Sequence, residues 1–135
     1  MAKPRDLDVS AHAVSQALAI LAPLLKGSSR IERAAFELVF QAVDRLERYT
    51  KAQTADPMRQ AFAGARAAGE LVHHALHEAG QVTALSRSIE SLALAVERTV
   101  EGSSLASVLA LCDSVAALAA QDRELKAILA TREAA

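Results

Sequence analysis

Apolar residues recur every three or four positions along almost the whole chain, and the recurrence breaks only where residues suited to helix ends stand. The stretch from Asp56 to Gly80 is the most legible. Met58, Phe62, Ala65, Gly69, Val72, Leu76 and Ala79 share one stripe of a 3.6-residue helix there. Asp56 can accept from the free N–H groups of a first turn, Pro57 suits the first helical position, and Gly80 is a left-handed stop. Small residues at Ala61, Ala65, Ala68 and Gly69 allow a neighbouring helix to approach closely, so this segment is expected to be the central member of a helical bundle.

The flanking segments follow the same pattern. From Leu7 to Lys26 the stripe is Val14, Ala17, Leu18, Leu21, Leu24 and Leu25, with Pro23 expected to kink or shorten the last turn and Gly27 to end it. Ser29 and Glu32 form a capping box opening a helix that runs to about Gln53. Its main stripe is Ile31, Ala35, Leu38, Val39, Ala42, Leu46 and Tyr49, widened on one side by Phe36, Phe40 and Val43. Asp44 before Arg48 and Glu47 before Lys51 mark its solvated face. Gly80 then permits a turn or a kink into Gln81–Glu101, where Val82, Leu85, Ile89, Leu92, Val96 and Thr99 form a narrow seam. After Gly102, Ser103 or Ser104 caps a final helix with Leu105, Val108, Leu109, Cys112, Val115, Leu118 and Ala119 on its stripe. A polar interruption from Gln121 to Glu124 precedes Leu125, Ile128 and Leu129, which predicts last turns that project from the body. The expectation is an all-α protein: an antiparallel bundle of four to five amphipathic helices, one domain over residues 7–132 with residues 1–6 frayed.

Composition narrows the class further. Hydrophobic residues are 52% of the 135, largely alanine and leucine, with three Phe, one Tyr and no Trp. The formal net charge of −1 and the interspersed signs remove the electrostatic case for nucleic-acid binding. A lone cysteine, Cys112, fits a reducing compartment. The apolar run Ala17–Leu25 contains Pro23 and is far shorter than the ~20 residues of a membrane span, and the first residues carry acids where a secretory signal has its apolar stretch. A cytoplasmic protein is expected, and the excess of Arg and Ala points to a GC-rich bacterial genome.

Candidate chemistry concentrates at Glu70, His73, His74 and His77. His73 and His77 are four apart on one helix face and Glu70 lies a turn earlier, a spacing able to hold a divalent metal at the surface. Glu70-Leu-Val-His73 resembles the Glu-x-x-His ligand motif of ferritin-like di-iron bundles, a family that needs a second such motif; this chain has none. His74 followed by Leu76 resembles part of the His-x-Leu-Lys-Gly signature of histidine-phosphotransfer domains, which implies His74 as a phosphoacceptor; His77 and Glu78 stand where that signature has Lys and Gly. Gly80-Gln81-Val82, Ala84-Leu85, Arg87 and Ile89-Glu90 are similar to the first helix of small copper-sensing helical repressors, whose cysteine and histidine ligands are not matched downstream. Nucleophile elbows, phosphate loops and dinucleotide fingerprints do not occur in the sequence. The reading is therefore non-enzymatic, with no cofactor: a bundle that binds a protein partner, itself included as a homo-oligomer, through the surplus apolar arc of Phe36, Phe40 and Val43.

Overall fold

The computed structural model describes residues 4–26, 28–52 and 55–134. Gly27 and the side chains of Tyr49, Lys51, Asp56, Leu125 and Leu129 lie outside the described residues, and so do the roles expected of them. Among the described residues the chain forms five α-helices and no strand: α1 (Pro4–Leu21), α2 (Arg30–Ala52), α3 (Ala55–Val72), α4 (Ala84–Glu101) and α5 (Leu105–Ala134). The all-α helical bundle expected from the periodicity is the fold.

Several boundaries differ from expectation for identifiable reasons. α1 starts at Pro4 instead of Leu7, because proline suits a first turn whose N–H groups have no partner within the helix. At its other end Pro23 cannot donate to the α ladder, and the chain tightens into a 3-10 turn, Ala22–Leu25. α3 already includes Ala55, so Asp56 lies inside the helix and Pro57 is its third residue. Past Val72 the α3 ladder widens into a π-helical turn, His73–His77, with the Glu78 N–H donating to the His73 carbonyl at 3.3 Å. Gly80 then takes φ +67 and closes the segment with the paired bonds of a Schellman motif, Gln81 N–H to Leu76 O (2.8 Å) and Gly80 N–H to His77 O (3.1 Å). Gly80 is thus a turn and not a kink. Ala79, expected on the buried stripe, lies in this exposed turn.

Direction follows from contacts across the joints. Arg45 donates to Gln60 at 3.3 Å, while a methyl built on Gly64 would sit 3.7 Å from the Ala42 side chain, so α3 retraces α2 in the opposite sense. His77 meets Glu90 at 3.1 Å, and Arg66 lies beside Glu97, so α4 likewise runs back along α3. α2 and α4 consequently run parallel, with their N-termini at the same end.

The central helix is α4, not α3. It packs against α1, α2, α3 and α5, whereas the main neighbours of α3 are α2 and α4. The reason is the breadth of small residues around α4. Besides the seam Leu85, Ile89, Leu92, Val96 and Thr99, it buries Ser86, Ser88, Ala93 and Ala95, so little of its circumference demands solvent. Its hydroxyls are satisfied without outside help: Ser88 donates to Ala84 O at 2.9 Å and Thr99 to Ala95 O at 2.8 Å. α3 instead buries only one stripe, Met58, Ala61, Ala65, Ala68, Val72 and Leu76.

α1 also reads differently in the fold. Asp8–Leu25, with a mean hydropathy of 1.3, is long and apolar enough to cross a membrane by length and composition, a longer window than the run Ala17–Leu25 alone. Here its stripe Ala11, Val14, Ala17, Leu18 and Leu21 is buried, and α1 packs on α2, α4 and α5. α5 buries Val108, Cys112, Val115 and Ala119 of its expected stripe, whereas Leu105 and Leu109 are half-buried and Leu118 is 40% exposed. Beyond Ala119 every described side chain is exposed, including Ile128 at 53%.

Two capping boxes meet at the shared end of α2 and α4. In the first, the Ser29 N–H donates to Glu32 Oε1 at 3.1 Å and the Glu32 N–H to Ser29 Oγ at 3.2 Å. In the second, Thr83 and Ser86 do the same for α4, with Ser86 N–H to Thr83 Oγ1 at 3.1 Å and Thr83 N–H to Ser86 Oγ at 2.9 Å. The Thr83 hydroxyl then donates to Glu32 Oε2 at 2.7 Å, joining the boxes. Glu32 is 5% exposed, an isolation that a carboxylate tolerates because its acceptors are filled and two positive helix ends flank it. Replacing Glu32 by alanine is expected to lower the unfolding free energy by about 2–4 kcal/mol, through a lost cap and the lost charge-assisted hydrogen bond from Thr83. Urea denaturation checks this, and a double-mutant cycle with Thr83→Ala should return a coupling of at least ~0.5 kcal/mol.

Candidate functional site

The histidine cluster is carried by the π-helical turn. His73 and His77 lie with ring centroids 5.4 Å apart and tilted by 34°, and His74 meets His73 edge-on at 5.4 Å. Each remaining partner draws a side chain elsewhere. His74 Nδ1 is 3.1 Å from Glu78 Oε1, His77 Nε2 is 3.1 Å from Glu90 Oε2 across on α4, and Glu70 pairs with Arg66 at 3.5 Å. The metal set expected from Glu70, His73 and His77 therefore does not form: among the described residues no three His, Cys, Asp or Glu side chains converge to hold an ion. His74 is solvent-facing, with 67% of its side chain exposed.

Between α3 and α4 the surface opens into a groove. One part, 430 Å³, is lined by Phe62, Arg66, Gly69, Glu70, His73, Glu97 and Glu101. The adjoining part, 280 Å³, is lined by Gly69, Glu90, Ser91, Ala93, Leu94 and Glu97. Its walls are two helical stripes with the same 4-3-4 spacing, Phe62, Arg66, Gly69, His73 on α3 and Glu90, Leu94, Glu97, Glu101 on α4. Gly69 leaves the middle open, since a methyl built there would meet nothing within 4 Å. Leu94 is 37% exposed beside it. Burial pushes the Glu97 carboxyl up from its ordinary value against the opposing pull of Arg66, and the neighbouring charges of Glu101 and Glu70 push it further. Sequence reasoning missed this groove because it followed the buried seam of α4. The signal was the second stripe, where glutamates at 90, 97 and 101 bracket a leucine that the seam does not use.

On the opposite side of the bundle the expected apolar arc of α2 is reduced to one residue. Phe36 (8% exposed) and Val43 (3%) are core, because α1 covers that flank, and only Phe40 remains outside at 52%. Phe40 borders a small 50 Å³ cleft with Ser15 and Leu18 of α1. The α1 surface alongside it carries no formal charge from Val9 to Leu25.

Compared with known protein families, curated proteins and solved structures, the chain matches none.

Cys112 is 6% exposed on the α5 stripe, and burial pushes its thiol up from 9.0 to about 11, with Asp113 adding to the effect. A thiol held protonated is a poor nucleophile, so Cys112 is a packing residue. Alkylation by iodoacetamide at pH 8 should be about 100-fold slower in the folded protein than in urea. The sign for stability follows: the unfolded thiol ionises first, so its contribution is complete below 9.0 and is lost as pH rises toward 11.

Proposed function

We propose that this is a non-enzymatic helical-bundle protein of a bacterial cytosol that acts through protein–protein contact, as an adaptor, regulator or self-assembling subunit. The observation that carries the reading is Phe40, a large aromatic side chain 52% exposed beside an α1 surface without formal charge. An exposed aromatic is costly in water and favourable in an interface, where aromatic side chains supply a disproportionate share of binding energy. The homo-oligomer is the simplest form of this reading, with Phe40 of two copies meeting across a symmetric contact.

A second reading draws on one observation at His74. Its Nδ1 is engaged by Glu78, an arrangement that orients the ring and leaves Nε2 toward solvent, as an acceptor of a phosphoryl group requires. The neighbouring negative charge of Glu78 opposes an incoming phosphoryl group, which ranks this reading below the first.

Phe40→Asp is expected to convert an associated species to monomer in light scattering while leaving far-UV circular dichroism unchanged; loss of helicity would place Phe40 in the core instead. For the second reading, incubation with a phosphorylated receiver should leave acid-labile phosphate on the wild type and none on His74→Gln.

A further inference from the structure

The groove between α3 and α4 is a surface feature that the Phe40 reading leaves unused. Four glutamates line it against a single arginine, whereas the whole chain has a net charge of only −1. Phe62 and the 37%-exposed Leu94 lie among the carboxylates, and the missing side chain at Gly69 opens the centre. Two of the glutamates already have partners, Glu70 in Arg66 and Glu90 in His77. Burial disfavours the ionised form of Glu97, Arg66 opposes that, and the like charges of Glu101 and Glu70 add to it. A cation placed there offsets the repulsion.

We propose that this groove docks a cationic amphipathic helix of a partner protein, its apolar ridge on Phe62 and Leu94 and its Lys or Arg heads on Glu97 and Glu101. The proposal rests on the reading that the protein works by protein contact, and uses a face separate from Phe40. A helix is the occupant because two antiparallel helices leave a channel into which the side-chain ridge of a third can set. From Glu90 to Glu101 the wall is about 16 Å long, three turns of helix. Lysine and arginine suit the rim, since their aliphatic stems cover apolar floor while the charged ends reach outward.

The test uses the full chain and a fluorescently labelled 18-residue helical peptide of leucine and lysine, with leucines on one face, followed by anisotropy. Saturable one-to-one binding is expected, at least tenfold weaker for the same peptide with glutamate in place of lysine. Gly69→Leu fills the groove without altering charge and improves helix propensity; it should weaken binding at least tenfold with circular dichroism unchanged. Glu97→Lys combined with Glu101→Lys should do the same. Equal binding of the two peptides, binding that survives both variants, or no binding of the leucine–lysine peptide overturns the proposal. Phe40→Asp should leave peptide binding intact. Loss of association in Phe40→Asp without any peptide binding sinks the groove alone, and peptide binding by a wild-type monomer sinks only the self-association through Phe40.

Discussion

The carboxylate of Glu32 is the point on which the bundle's geometry depends. It closes the first turn of α2 through Ser29 and accepts from Thr83, 51 residues further along the chain at the first turn of α4, so two helix starts are fixed to each other by one side chain. The choice of an acid is physically consistent. Parallel helices bring like dipole ends together, a repulsive arrangement, and a negative group between the two positive ends reverses the sign of the interaction. A neutral residue of similar size would satisfy part of the hydrogen bonding without that reversal.

With α2 and α4 set parallel, the remaining helices have few places to go. α3 must run back between them in sequence and lies along both, while α1 and α5 complete the cover around α4. This makes α4 a helix packed on several sides, and its composition fits: serine, threonine and alanine fill positions where leucine would hold neighbours apart. Its hydroxyl groups bond to carbonyls of their own helix, so the small polar residues add no unsatisfied group to the interior. The same crowding does not extend to the flank of α4 facing past Gly69, and there the surface remains open.

Much of this was legible in the chain. The five apolar stripes, the capping box at Ser29, the glycine stop at Gly80 and the disturbance at Pro23 each rest on local chemistry and therefore show in local sequence. What failed to show was relational. Ala61, Ala65 and Ala68 suggested a central α3, but small residues mark close approach by one neighbour as readily as by several, and only the tertiary arrangement gives α4 the larger number. Phe36 and Val43 belong to an arc whose breadth is explained by α1, a neighbour that periodicity within α2 cannot reveal. The histidines at 73, 74 and 77 were spaced for an α-helix, and the chain departs from α geometry at those residues. The cap at Thr83 went unread, and nothing local links it to Glu32.

The π-helical turn has a consequence for how this chain tolerates changes in length. Each π-type bond spans one more residue than an α-type bond, so the turn holds a surplus residue within a helix that is otherwise regular. Loss of one residue between His73 and His77 would let the turn relax to α geometry, with Val72 before it and the Schellman closure after it still in reach of their present positions. An identical loss in the middle of α4 would rotate every later side chain by about 100° and turn its packed faces away from their neighbours. Length variation in related sequences should therefore collect at the histidine-bearing end of α3 and be excluded from α4.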